Sequence, residues 1–388
     1  MLTQPREKRC LMVITGAFNF GGGIAASNRL AIHALHDAGY QIDIVAFNEP
    51  IDSGEKYQQF ERVDYTSTQN SKFNFVLKVW GALLKKKYAL VFCDHVNLAS
   101  VLAPLAWMRL IRYVVRVHLI EVMPPYPDFQ GRLGLYNAWR IHASEYARQQ
   151  LLRAYPSLKI DVVPLSLPPQ TSFDLPEQAT QQELAFTATD GTVQLLGDRV
   201  ILMVGRMESS ERYKGQDVLI QAMPYILERY PEAQLVLVGE GDDSNRLVNL
   251  AKAESVETQE HIFMLGFVPD DVLESLYSSC YLFAMPSRGE GFGLVYVEAM
   301  RWGKPCIASH IDAAQYIVQH EKTGLLVDNP TSSLDVASAI LRLLSSPIVA
   351  EQYGVAGRLR AHNYYQYEQF RTRFWQTLGL KSVWKAGS

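Results

Sequence analysis

The sequence predicts an α/β fold built from two Rossmann-like halves, on three observations. Continuous apolar runs recur along the chain, most are followed by a turn and a helical pattern, and the whole order starts afresh near residue 199. Strands of a parallel sheet read this way because crossover helices bury them on both faces. Ligands of such folds gather beyond the carboxyl ends of the strands, so the segments just after each run are where function is sought.

In the first half, CLMVITGAF (10–18) leads into NFGGGIAASNRLAIHALHDAG (19–39), a Gly-rich turn and a helix closed by Gly39. Strand patterns follow at QIDIVAF (41–47), YALVFCD (88–94) and YVVRVHLI (113–120). The grammar restarts at RVILMVGRM (199–207), passes through the helical GQDVLIQAMPYILERY (215–230), and reaches AQLVLVGEG (233–241). Further strands are expected at IFMLGFV, YLFAMPS, PCIAS and TGLLVDN. Between the halves, VVPLSLPPQTSFDLPEQATQQELAFTATDG is Pro-containing and lacks periodicity, which marks a linker with an irregular excursion. The expected organisation is a first domain over 1–167, a linker over 168–198, a second domain over 199–363 and a last helix over 364–388.

A length of 388 residues suits two or three domains, and a 20% charged, 48% hydrophobic composition is ordinary for a globular protein. Cys10, Cys93, Cys280 and Cys306 stand far apart without CxxC or Cys/His pairing, which argues against a structural zinc site. No segment approaches the roughly 20 apolar residues of a membrane span. The N-terminus runs straight into a short strand without a signal-peptide pattern, so a cytoplasmic protein is expected. Charge is uneven: residues 1–165 carry 19 Lys/Arg against 13 Asp/Glu, a balance of +6, within a chain of net −3. That basic half is expected to face an anionic surface or acceptor.

Gly21, Gly22 and Gly23 let backbone approach an anion closely at a helix start, but their spacing is not the GxGxxG of dinucleotide folds, so NAD is not indicated. Arg206 and Lys214 bracket the stretch after the first strand of the second half and suit a diphosphate clamp, with Arg212 as a competing candidate. In PSRGEGFGLVYVEAM (286–300), Glu290 falls in a loop with Gly291, Phe292, Gly293 and Leu294, whose N–H groups can cradle a phosphate or sugar hydroxyls. Glu298 lies about one turn into the following helix, where a carboxylate can accept both hydroxyls of a ribose diol. Two acids flanking an anion cradle therefore mark the two ends of a nucleotide-sugar.

Most of residues 200–345 carries these motifs in full context, including YKGQDVLIQAM, LVLVGEGDD, MLGFVPDDVLESLYSSCYLFAMPSRGEGFGLVYVEAMRWGKPCIAS and TGLLVDN. In them the chain resembles retaining glycosyltransferases of family 4, with the E-x7-E motif and the GT-B fold. The resemblance implies two facing Rossmann-like domains with a cleft between them and a C-terminal helix returning to the N-terminal domain. It implies that Glu298 binds ribose and Glu290 the donor sugar, while Arg206 and Lys214 neutralise the leaving diphosphate. Gly22 and Gly23 would approach the phosphate or sugar from the other domain, and His118 would stand near the transferred sugar; His95 reads as structural. Two departures stand out: the span from Arg206 to Lys214 is long, and DAAQY (312–316) places Tyr316 where the family often has an acid.

The expected activity is metal-independent transfer of a sugar from a UDP-, GDP- or ADP-sugar to a glycan or lipid-linked acceptor, in cell-surface polysaccharide or glycolipid synthesis. No DxD triplet occurs in the chain, so a divalent metal is not expected, and the nucleotide-sugar serves as co-substrate with no bound cofactor. The lysine-edged apolar pattern of SKFNFVLKVWGALLKKKYAL (71–90) suits peripheral contact with an anionic membrane at the inner face of the plasma membrane. Mild local charge around the aromatic C-terminal pattern gives no support to nucleic-acid binding. Two other readings stay open: a sugar-nucleotide epimerase of related fold and a non-enzymatic two-lobed sugar-binding protein.

Overall fold

The computed structural model describes residues 8–18, 22–122, 128–174, 184–187, 189 and 191–380. Two compact units emerge, one formed by Met1–Pro169 with Gln366–Ser388 and the other by Gln170–Tyr365.

The first unit holds strands β1 (Arg9–Ile14), β2 (Gln41–Ala46), β3 (Val63–Ser67), β4 (Leu90–Cys93), β5 (Tyr113–Arg116), β6 (Arg140–Ala143) and β7 (Ile160–Val162). They form one sheet in the order β3-β2-β1-β4-β5-β6-β7, and every neighbouring pair is parallel. β1, β4 and β5 are almost wholly buried, which explains the apolar runs Cys10–Ile14, Leu90–Cys93 and Tyr113–Val115. Helix Lys72–Lys85 starts at Ser71, whose side chain caps Asn74 N, and buries Phe75 and Val79 against the same core as Val13, Val91 and Tyr113.

Helix Tyr367–Thr377 belongs to this first unit, as the predicted returning helix requires. Tyr367 Oη donates to Asp37 at 2.8 Å, Arg371 pairs with the same carboxylate at 3.1 Å, and Trp375 Nε1 donates to the Ala34 carbonyl at 2.8 Å. Phe370 and Phe374 stack under the helix, and Phe374 lies against Phe92 and His142. Residues 381–388 of the expected helix lie outside the described residues.

In the second unit, the span read as an irregular linker holds an antiparallel hairpin, β8 (Ala185–Thr187) and β9 (Val193–Leu195). Its strands are three residues each, too short to show a period of two in sequence. Thr189 N donates to the Ile262 carbonyl, and Gln234 holds Gly197 N and the Leu195 carbonyl. Residues 175–183, also within that linker, lie outside the described residues.

The second sheet comprises β10 (Val200–Val204), β11 (Gln234–Val238), β12 (Ile262–Gly266), β13 (Leu282–Ala284), β14 (Cys306–Ser309) and β15 (Gly324–Val327). Their order is β12-β11-β10-β13-β14-β15, again all parallel. Strand order reverses between β10 and β13, so the segments after these two strands flank a topological switch point, the usual ligand position of such sheets. Among the described residues no single helix is long and apolar enough to cross a membrane; Ser333–Leu344 and Pro347–Tyr364 pass only as a pair bent by 95°.

Candidate active site

Arg206 follows β10 by two residues, and its carbonyl accepts from Gln216 Nε2 at 3.0 Å. This segment is pressed against the one after β11. At Gly239, φ is +132° and an added Cβ would fall 2.1 Å from the Gly205 carbonyl, so only glycine allows the approach. The long span to Lys214 is taken up by the 3₁₀ turn Ser209–Lys214. Asp242 fixes its start by accepting from Ser209 N at 2.6 Å and Ser209 Oγ at 2.7 Å.

Arg212, the competing clamp residue, is committed elsewhere. Its Nε and Nη2 both donate to Asp243 Oδ1, at 3.0 and 2.7 Å, and Arg246 grips the same carboxylate. Lys214 instead turns toward the acids of the site: its Nζ lies 3.3 Å from Glu211 and 3.6 Å from Glu290. Arg206 also pairs with Glu211. Four charges, two of each sign, thus converge beyond β10 and β13.

The Glu290 loop is shaped mostly by backbone. Gly289 N donates to Ser287 Oγ, Arg288 N to the Tyr213 carbonyl, and Glu290 N to Asp312 Oδ2 at 2.8 Å. Asp312 is fully buried after β14, and its other oxygen accepts from Ala314 N at 2.9 Å. Burial pushes this carboxyl up to about 7, against the pull of those two N–H groups and with the Glu290 charge adding to the rise.

Gly291 and Phe292 lead into Gly293, the N-cap of helix Leu294–Arg301, at φ +92°. An added Cβ there would meet the Tyr296 ring at 2.6 Å, so the loop needs glycine on both counts. No side chain caps this helix, which leaves its start to backbone N–H groups, the arrangement that receives anions elsewhere. The Phe292 ring packs edge-on against Tyr365, 5.9 Å between centroids. One turn on, Glu298 accepts from Tyr277 Oη at 2.8 Å; burial raises its pKa and the tyrosine hydrogen bond partly offsets that.

The remaining candidates lie in the first unit. Gly22, at φ +111°, is the N-cap of helix Gly23–Asp37, again without a side-chain cap, and nothing lies within 4 Å of a Cβ built on Gly23. Gly21 lies outside the described residues. The backbone ahead of this turn is held by buried Glu49, which accepts from Ala17 N at 3.2 Å and Phe18 N at 2.6 Å. His118 follows β5; its backbone N–H donates to Glu121 at 2.6 Å, and its ring Nε2 is buried without a hydrogen-bond partner among the described residues. Burial, with Arg116 and His95 nearby, holds this imidazole well below its ordinary pKa and therefore neutral. His95 is bound to Glu121 at 3.0 Å, and although burial opposes its charge, that carboxylate raises its pKa.

Five residues that shape these sites escaped sequence reasoning: Glu211, Asp312, Tyr277, Glu49 and Glu121. Asp312 left the clearest trace, as the acid at the head of the deviant DAAQY. Among the described residues no group of His, Cys, Asp and Glu is placed to hold a metal ion.

Two Rossmann-like units, one carrying acids, a basic pair and an uncapped helix start beyond its strands, define a glycosyltransferase of the GT-B fold. The chain belongs to the glycosyl transferases group 1 family, whose model matches residues 192–360. An uncharacterized glycosyltransferase of Methanocaldococcus jannaschii is 32% identical over 289 residues, covering 69% of each chain. The GDP-mannose-dependent alpha-(1-6)-phosphatidylinositol monomannoside mannosyltransferase of Mycolicibacterium smegmatis is 35% identical over 194 residues, 48% of this chain and 47% of that one. Among solved structures, Anabaena HepE in complex with UDP and glucose superposes with a TM-score of 0.74 at 19% identity, over 95% of this chain and 99% of its own. Sucrose-phosphate synthase from Thermosynechococcus elongatus gives 0.74 at 21% identity, over 96% and 98%. At such identities these structures speak for the fold alone.

Proposed function

We propose that the chain is a retaining, metal-independent hexosyltransferase that moves a sugar from a nucleoside-diphosphate sugar to a glycan or lipid-linked acceptor hydroxyl, in cell-surface polysaccharide or glycolipid synthesis on the cytoplasmic side. The carrying observation is the convergence of Arg206, Lys214 and Glu290 beside the uncapped start of helix Leu294–Arg301. Mannosyl transfer to a phosphatidylinositol lipid is what the mycobacterial relatives are named for, one of them GDP-mannose-dependent, and the HepE structure holds UDP, which puts GDP- and UDP-sugars first among donors to test.

In this reading the diphosphate lies against the N–H groups of Phe292 to Leu294, with Arg206 and Lys214 as preorganised positive charge for the leaving group. Glu298 accepts the ribose hydroxyls and Glu290 those of the sugar. As the bond from anomeric carbon to phosphate oxygen breaks, its electron pair stays on the diphosphate. The acceptor oxygen bonds to that carbon from the same face, and its proton passes to the departing phosphate oxygen. No covalent nucleophile is required. Neutral His118 and the turn at Gly22 and Gly23 are assigned to the sugar and phosphate in the same scheme.

A thermal-shift panel of UDP-, GDP- and ADP-sugars, followed by detection of released nucleotide and glycosylated acceptor, tests this. Stabilisation by one donor class and turnover without added divalent metal are expected. No affinity for any activated sugar would end the reading.

A further inference from the structure

We infer that the outer face of helix Lys72–Lys85, together with the segment Trp107–Arg112, is a docking surface for an anionic lipid bilayer. It lies outside the candidate active site and goes beyond the transfer reaction.

Helix Lys72–Lys85 is apolar on two faces. Phe75 and Val79 are buried, as a single packed stripe requires. Phe73, Leu77, Trp80 and Leu84 recur at spacings of four, three and four and are exposed, Phe73 at 73% and Leu84 at 82%. A helix that only covers its own sheet carries polar residues there.

The second element continues the pattern. Trp107 is 78% exposed and Leu110 68%, with Met108 also exposed between them. The chain reaches this conformation through Arg109 at φ +59°, a left-handed cap normally given to glycine. Leu110 N donates to the Leu105 carbonyl and Arg109 N to Ala106, so the turn is firmly closed around an arginine.

The two elements are neighbours. Trp80 Nε1 donates at 3.1 Å to the carbonyl of Val101, just ahead of the helix Ala103–Trp107 that runs into the second element, and Ile111 of that element packs against the core cluster that holds Phe75 and Val79. Val91 of β4 pairs with Tyr113 of β5, which brings Lys85–Lys87 and Arg109–Arg112 to the same end of the sheet.

Charge selects the occupant. From residue 72 to 112 there are seven basic residues, Lys72, Lys78, Lys85, Lys86, Lys87, Arg109 and Arg112, and one acid, Asp94, which is buried. Two acids from neighbouring strands, Asp43 of β2 and Asp64 of β3, engage Lys86 at 2.8 and 3.9 Å, which leaves the other six basic residues to meet the lipid. A second copy would oppose like charges across this face, whereas an anionic leaflet complements them while its acyl boundary receives the indoles and leucines.

The test is flotation of the full chain with phosphatidylcholine vesicles and with phosphatidylcholine–phosphatidylglycerol vesicles, at low and high salt. Binding to the anionic vesicles alone, weakened by salt, with a blue shift of tryptophan emission, is expected. The double variant Leu84→Asp, Trp107→Asp should lose about tenfold or more in vesicle affinity, while its melting curve and nucleoside-diphosphate affinity stay unchanged. Equal flotation with and without anionic lipid, or wild-type affinity in the variant, would overturn the inference. So would a wild-type dimer in solution that the variant dissolves, because the face would then belong to a second copy.

Discussion

Glu290 and Asp312 tie two segments together: Glu290 N donates to the Asp312 carboxylate at 2.8 Å, and Ala313 N, the next residue along, returns to the Glu290 carbonyl at 3.1 Å. The acid thought to meet the sugar is therefore held by a buried acid one strand away. Burial has raised Asp312 from its ordinary 3.8 to about 7, so folding favours its protonated form. That contribution is present in full below the ordinary value and is lost as pH rises through about 7. Relative to Asp312→Asn, the wild-type unfolding free energy should fall by about 1.4 kcal/mol per pH unit across that window, and level off above it. Denaturant titrations of both proteins at several pH values check this, and parallel pH dependences would refute it.

The Arg206 side chain is half-exposed and pairs with Glu211, so its removal tests chemistry apart from folding. Arg206→Ala should lower kcat by about 10²–10³-fold, the usual loss for one preorganised charge at a developing anion, with an unchanged melting curve. Wild-type turnover in the variant would take Arg206 out of the mechanism.

Glu211 sits between Arg206 and Lys214 and repels any anion that approaches them. Glu211→Gln should bind nucleoside diphosphate several-fold tighter, up to about tenfold, since a like charge facing the ligand is removed. Turnover should drop, because Arg206 loses the partner that fixes its position. Isothermal calorimetry and steady-state rates give the two readouts.

All six strands of the second sheet, and β1, β2, β4 and β5 of the first, were legible because strands buried on two faces cannot hide their composition, as RVILMVGRM and AQLVLVGEG illustrate. β3, β6 and β7 were not: they are three to five residues long, and β3 and β7 are only partly buried, so no apolar run marks them. The hairpin Ala185–Leu195 was not, since its pairing depends on short strands and on the remote Gln234. Within the site, Glu290 and Glu298 could be read from their place beside glycines and a helix start. The partners that hold them could not: Asp312 acts from another strand end and Tyr277 from another helix, a contact at 21 residues' separation that no local spacing encodes. Which of Arg212 and Lys214 lies beside Glu290 needed the structure for the same reason: Asp243 holds Arg212 from beyond β11, while Lys214 Nζ stands 3.6 Å from Glu290.

Tyr277 is buried, and its hydroxyl donates to Glu298 at 2.8 Å, opposing the upward push of burial on that carboxyl. Tyr277→Phe removes the donor, so the Glu298 pKa should rise further. A protonated carboxyl accepts fewer hydroxyl hydrogen bonds, and the defect should grow as pH falls. Donor KM is expected to increase about three- to tenfold with kcat changed by less than about twofold, in line with one lost hydrogen bond to a charged group. Donor KM measured at pH 6 and pH 8 decides it, and an equal defect at both would exclude the titration argument.

Phe374 decides how the returning helix is held. Its side chain is 1% exposed, stacked on Phe370 at 5.6 Å and set against His142 at 5.4 Å and Phe92 at 5.9 Å. Truncating such a ring leaves a cavity, and Phe374→Ala should cost about 3–5 kcal/mol. Trp375→Phe removes only the indole hydrogen bond to Ala34 and should cost about 1 kcal/mol. Calorimetry separates these losses by unit, because Arg206, Lys214, Glu290 and Glu298 all lie within Gln170–Tyr365. A transition that nucleoside diphosphate shifts upward reports the second unit, by linkage of binding to folding. Phe374→Ala should lower the other transition and leave the ligand-shifted one in place. Equal losses from the two variants would instead make polar contacts the main anchor of the helix.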